Sequence, residues 1–287
     1  MTRAAHRLGP DSLPIAPTAE EWQAMSPRAR EAFLDEANMA LEAETMRLSE
    51  GSPHIESKFA AFQVLRDHFK RIGRQIYIKP GLAVHYPGAS VFAPDLLLVQ
   101  GVDDPGIADT RMAWVVADEG RGLDFVLEVL YAGNRQKDLF DNLATYAGHG
   151  ISEYFVYDRL KQRLHGWRLQ SATTSTYEPI RPLGGAFRST VLGLELSVVE
   201  GSLCFFYGGT PIPTSVEIIE RLNAIVDELS QRAESEAARV EEETVKALEG
   251  LDARLQEEAL ARRAAEVRAE EAERRIAELL ARLGESG

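Results

Sequence analysis

Apolar positions along the chain repeat first with a helical period and then with a strand period. Between residues 18 and 49, Trp22, Met25, Phe33, Leu34, Met39, Leu41, Met46 and Leu48 recur at roughly helical spacing, with a break near Ser26-Pro27 that can start a second helix. Thr18 followed by Glu21 reads as a capping box at the first helix start. A helix is predicted over 54–73, with Phe59, Phe62, Val64, Leu65 and Phe69 on one side and Lys58, Arg66, Asp67, Lys70 and Arg71 on the other. Short strands follow at 75–78, 82–86 and 91–99, and Trp114 to Val116 reads as a strand or a covering loop. The stretch 122–158 organises the rest. It holds an apolar run at 125–130, a helix predicted over 135–149 with Leu139, Leu143 and Tyr146 on one face and Gly150 after its end, and a second apolar run at 154–157. That is a strand, helix, strand unit. Apolar runs at 164–169, 175–180, 187–191, 194–198 and 203–206, separated by Gly, Pro and Asp turns, predict a close of antiparallel strands or hairpins.

From about Ser215 the pattern changes again. Ile218, Leu222, Ile225 and Leu229, and later Ala265, Ala269, Ala272, Ile276, Leu279 and Leu283, repeat at spacings of four and three on a background of Glu, Arg and Ala. This predicts a long helix with coiled-coil periodicity, less regular between 230 and 263 and weakened at Gly250. Its stripe needs a second copy, a hairpin near Gly250 or another protein to cover it, and self-association is the favoured expectation. The predicted class is α/β: a mixed sheet flanked by helices, with an N-terminal helical lead-in and a long C-terminal coiled-coil helix. The expected divisions are a disordered arm at 1–17, the lead-in at 18–52, the sheet domain at 53–213 and the coiled coil at 214–287.

Composition narrows the class. With 287 residues, 45% apolar and 27% charged, the chain resembles a soluble protein. No stretch reaches the roughly 18 apolar residues of a membrane span, and the N-terminus lacks the apolar core of a secretory signal. A single cysteine, Cys204, excludes an internal disulfide framework and a Cys-based zinc site, and it reads as a buried thiol. The expected setting is cytoplasmic. Of the net charge of −13, −8 lies from residue 216 onward, which leaves −5 for the remainder. A DNA-binding face on that remainder must be local.

Two acids stand out because they interrupt apolar runs: Asp95 after Pro94, and Glu128 within 125–130. A carboxylate in such a setting is costly unless it is paired or bound to a metal. Two acids with a neighbouring backbone carbonyl suffice for Mg²⁺, which keeps water and phosphate in its shell. Arg135 and Lys137 follow closely enough for a cation to approach the same strand ends. On spacing alone the alternative stands equal: Asp95 caps a turn, and Glu128 is salt-bridged to Arg135 or Lys137. Asp138 and Asp141 suit a helix start. His54 and His85 lack metal-ligand spacing, and Tyr146, Tyr154 and Tyr157 read as core aromatics. Glu56 is a weaker acidic candidate on the 54–73 helix, and Gly184-Gly185 reads as a turn.

Taken in order, Pro94-Asp95, Glu128-Val129-Leu130, Lys137-Asp138, Tyr146-Ala147, Gly150-Ile151-Ser152-Glu153-Tyr154 and Asp158 resemble the bacterial restriction-endonuclease-like family known as Uma-two, of the PD-(D/E)xK nuclease superfamily. The resemblance spans roughly residues 53–206. It implies a DNA endonuclease in which Asp95, Glu128 and the Val129 carbonyl hold Mg²⁺ or Mn²⁺, and in which a lysine supports the reacting phosphate. The usual lysine places are held by Leu130 and Asn142, and the family's serine after the EVL triplet by Tyr131, so Lys137 becomes the candidate for the catalytic cation. A dimer would present two sites to the two DNA strands. The alternatives are a nuclease-fold module that binds nucleic acid or protein without cleavage, and an assembly protein that acts through its coiled coil.

Overall fold

The computed structural model describes residues 7–9, 12–48, 52–130, 137–171 and 173–284. Two compact units make up the chain, 1–217 and 218–287.

The first unit opens with α1 (Ala19–Ala24), α2 (Pro27–Leu48) and α3 (Ser52–Arg71). The capping box at Thr18 forms as predicted: its hydroxyl accepts the Glu21 N–H at 3.2 Å, and the Glu21 carboxylate accepts the Thr18 N–H at 2.8 Å. The strands are β1 (Ile76–Pro80), β2 (Val84–His85), β3 (Leu96–Gln100), β4 (Trp114–Val115), β5 (Phe125–Leu130), β6 (Glu153–Asp158), β7 (Arg163–Leu169), β8 (Tyr177–Pro179), β9 (Phe187–Ser189), β10 (Leu194–Val199), β11 (Ser202–Tyr207) and β12 (Thr210–Pro211). Two further helices are α4 (Val116–Glu119) and α5 (Asn142–Gly148). A π-helical turn, Lys137–Asp141, leads into α5, and residues 131–136 lie outside the described part.

The main sheet has the order β1-β3-β5-β6-β7-β8. All its neighbours are antiparallel except β5 and β6, which α5 connects in parallel. The strand, helix, strand reading of 122–158 is therefore realised at the sheet centre. A Schellman turn ends α5, with Gly150 at φ +73 and the Ile151 N–H on the Tyr146 carbonyl at 3.1 Å. A second sheet, β12-β11-β10-β9, supplies the predicted antiparallel close, and β2 pairs with β4 in parallel.

Strand alternation sends side chains to two buried faces. Leu96, Leu98, Phe125, Leu127 and Val129 pack with Val64, Leu65 and Phe69 of α3 and with Leu194, Leu196 and Phe205 of the second sheet. Leu97, Val99, Val126 and Leu130 pack with Trp114, Tyr146, Ile151 and Tyr154 on the other face. The buried Glu153 carboxylate fastens β6 to the end of β9 by accepting from the Ser189 hydroxyl and from the Thr190 N–H at 2.8 Å.

A third cluster corrects the expectation of a disordered arm. Leu13 and Ala16 are buried with Trp22, Phe33, Ala37, Ala83, Val91, Ala113 and Val115. The Ala16 N–H donates to the Ala89 carbonyl at 2.8 Å, and the Val91 N–H donates to the Pro14 carbonyl at 2.9 Å. Residues 12–17 are thus held by apolar burial and backbone pairing despite their prolines.

The second unit belongs to α6 (Ser215–Gly284), which runs unbroken through Gly250 and so excludes the hairpin alternative. From Leu222 to Leu255 its apolar and small residues follow at spacings of four, three and four, through Val226, Leu229, Ala233, Ala237, Val240, Thr244, Leu248 and Leu251. That is an eleven-residue repeat, and the predicted seam is therefore more continuous than a heptad reading makes it. Its larger members are more than half exposed, among them Leu222 at 55% and Leu248 at 60%.

His85 is 2% exposed, lies edge-on to Phe33 and finds a hydrogen-bond partner for neither ring nitrogen among the described residues. Burial pulls its pKa down from 6.5 to about 4. A depressed folded-state pKa means that the unfolded chain binds the proton more tightly. Stability is therefore fully present above pH 6.5 and falls as pH drops toward 4, by about 3 kcal/mol at 1.36 kcal/mol per unit. Urea unfolding of the wild type between pH 7 and pH 4 should show this slope, and His85→Phe should flatten it.

Candidate active site

The site forms where the β3–β5 ladder stops. The last antiparallel pair is Leu96 with Leu127, so Asp95 and Glu128 occupy facing positions one step beyond it. Pairing lost at that step would leave backbone N–H groups bare in a buried place. The two acids supply the missing acceptors for each other's strands: the Asp95 N–H donates to Glu128 Oε2 at 3.0 Å, and the Val129 N–H donates to Asp95 Oδ2 at 2.7 Å. Glu128 is held further by the Tyr146 hydroxyl, which donates to Oε1 at 2.8 Å from α5. Both acids are buried, Asp95 at 8% and Glu128 at 9% exposure. Asp95 thus caps the neighbouring strand at Val129, and the salt bridge expected from Glu128 to Arg135 or Lys137 falls on side chains outside the described residues.

Two partners of Asp95 come from α3. His54 and Lys58 are one helical turn apart on one face. His54 Nε2 lies 2.9 Å from Asp95 Oδ1, and Lys58 Nζ lies 3.1 Å from the same oxygen. Burial pushes the Asp95 carboxyl upward, and the His54 hydrogen bond, the Lys58 ammonium and the Val129 N–H outweigh it, so the pKa is held below its ordinary value of 3.8. An ionised carboxylate only accepts, so His54 Nε2 is the donor in this contact. Asp95 and Lys58 open on a cleft of about 770 Å³. Asp35, Asn38, Glu42 and Thr45 of α2 face the same cleft.

Leu130, at the usual lysine place, is buried in the apolar cluster with Tyr146 and Tyr154. Asn142 is buried on α5. Lys137 begins the π-helical turn, but its side chain lies outside the described part of the structure, as do Arg135 and Tyr131. Asp158, at the end of β6, accepts the Lys161 N–H at 3.0 Å and shapes the turn into β7. Glu56 is exposed on α3 and lines a smaller cleft with Ser57 and Arg159. Among the described residues, no group of three or more His, Cys, Asp and Glu is arranged to hold a metal ion.

Sequence reasoning missed the involvement of His54 and Lys58. Their four-residue spacing was visible, but it says nothing about which strand end that helix face meets.

The family model described as "Putative restriction endonuclease", Uma2, matches residues 42–199, more than half the chain. The chain belongs to the Uma2 family. A crystal structure described as a putative nuclease belonging to DUF820 from Anabaena variabilis ATCC 29413 is similar at 16% identity and a TM-score of 0.41, over 52% of this chain and 79% of that one. No curated protein sequence matches the chain. The Uma2 match takes in His54, Lys58, Asp95, Glu128 and Tyr146, and agrees with a mixed-sheet, restriction-endonuclease-like fold.

Replacing Lys58 with Met removes one of the forces that hold Asp95 ionised and leaves a buried charge with fewer partners. The variant should lose about 1–3 kcal/mol at pH 7. Because the Asp95 pKa is depressed, this contribution is present above about pH 4 and fades as pH falls below it. The difference in urea midpoint between the two proteins should be wider at pH 7 than at pH 3. An equal gap at both pH values would contradict the assignment.

Proposed function

We propose that the chain is a metal-dependent DNA endonuclease that hydrolyses phosphodiester bonds at Asp95 and Glu128, with Mg²⁺ or Mn²⁺ as the ion. The observation that carries this reading is the pair of buried carboxylates at neighbouring strand ends, in a member of a restriction-endonuclease-like family. The donor set suits a hard cation that takes one or two carboxylates and keeps water and phosphate for the rest of its shell. The Val129 carbonyl fits as a third oxygen, because its N–H is turned toward Asp95 and the two groups of one strand residue point to the same side. When bound, such an ion lowers the pKa of water and offsets charge on the phosphate.

The protein groups divide the remaining work. Tyr146 and the Asp95 N–H fix the Glu128 carboxylate in one rotamer, and the Val129 N–H and His54 do the same for Asp95. Such preorganisation leaves little rearrangement for the reacting state. Lys58, which lines the cleft beside Asp95, is our candidate for the cation that supports the scissile phosphate, alongside Lys137 of the reading from sequence. The Lys58 ammonium, 3.1 Å from Asp95 Oδ1, neutralises the carboxylate that would hold the ion.

A second reading follows from the same contact. Asp95 is already compensated by Lys58 and His54, the arrangement expected of a nuclease fold that binds nucleic acid or protein without cutting. Nicking of supercoiled plasmid with Mg²⁺ or Mn²⁺ separates the two. The endonuclease reading expects activity that falls about 100-fold or more in Glu128→Ala and Asp95→Ala and falls in Lys58→Ala, with Lys137→Ala showing whether that lysine shares the part. Absence of metal-dependent nicking by the wild type, or equal nicking by wild type and Glu128→Ala, would remove it.

A further inference from the structure

We infer that α6 is the interface for a second copy of this chain, and that the two helices pair antiparallel about a centre at residues 249–250. A helix of 70 residues is about 105 Å long, far too long to cover its own apolar stripe. The stripe is nearly symmetric about its middle. With residue 249 set at the centre, Ile219 meets Leu279, Leu229 meets Ala269, and a shift of half a residue sets Leu248 against Leu251. An in-register parallel pair needs no such symmetry, whereas an antiparallel one does.

Charge gives the same orientation. Residues 217–249 carry ten acidic and four basic side chains, a net −6, whereas 251–283 carry eight and seven, a net −1. Parallel pairing sets each −6 half against another −6 half. Antiparallel pairing sets each −6 half against a −1 half, and flanking charges across a two-helix seam lie close enough to interact despite screening over about 8 Å at physiological salt.

Orientation sets what the dimer can do. In an antiparallel pair the N-terminal ends of the two helices, to which residues 1–217 are joined, stand about 105 Å apart. Antiparallel pairing therefore sets the two points of attachment of residues 1–217 at opposite ends of the helix pair. This inference holds whether or not the Asp95 and Glu128 site cleaves DNA.

The test uses the full chain with Cys204→Ser. Leu222→Cys and Ile276→Cys versions are co-expressed or prepared separately, treated with a short bismaleimide and sized by denaturing gel, alongside sedimentation of the untreated protein. Leu229→Cys with Ala269→Cys provides a second pair in case the first disturbs folding. Antiparallel pairing expects sedimentation at twice 31.8 kDa, linked dimers in both mixed preparations and none in any single one, since like positions at 222 would stand about 80 Å apart. A monomer, a self-linked Leu222→Cys protein or a dimer without either mixed link would each overturn it.

Discussion

The exchange of backbone N–H groups and carboxylates between Asp95 and Glu128 is the constraint on which the site depends. β3 begins one residue after Asp95, so the β3–β5 ladder has no further partner strand to offer Glu128 and Val129. A buried strand end with bare N–H groups is costly, and two acidic side chains remove that cost at the price of bringing like charges together. Among the described residues, the Tyr146 hydroxyl then supports Glu128, and His54 and the Lys58 ammonium support Asp95. The arrangement therefore ties α3, β3, β5 and α5 to one point, and a cleft opens beside it.

Much of the frame was legible because its signals are local. The apolar run 125–130 is β5 to the residue, the capping box at Thr18 forms, and Gly150 ends α5 in the left-handed conformation its place suggests. Glu128 was conspicuous because it interrupts an apolar strand, and Asp95 because it follows proline at the foot of another. The partners of Asp95 were not legible, since they depend on how α3 crosses the sheet: Val64, Leu65 and Phe69 dock on the Leu96 and Leu127 face, and only that docking brings His54 and Lys58 to the end of β3. The arm was misread for a related reason. Leu13 and Ala16 have no periodic neighbours, and their burial is created by α1, α2 and the segment around Val91, which are distant in sequence.

The two units follow different physics. In the first, every strand of the central pair β5–β6 is buried on both faces, so a change in register would move acids into an apolar core. In the second, the helix repeats a shallow pattern of Leu, Val, Ala and Thr, and its pairing is governed by stripe and charge. Bulk charge accordingly says little about the site. Most of the acidity belongs to the helix, while Lys58, Asp35 and Glu42 line the cleft beside Asp95.

The central claim, that Asp95 and Glu128 together form a divalent-cation site at the end of the β3–β5 ladder, is tested most directly by Mn²⁺ titration of ¹⁵N-labelled protein. The ion broadens amide signals near where it binds. The account predicts that the amides of Asp95 and Val129 broaden first, and that Glu128→Gln abolishes this. Early broadening confined to the acidic surface of α6, with Asp95 and Val129 unaffected, would contradict it.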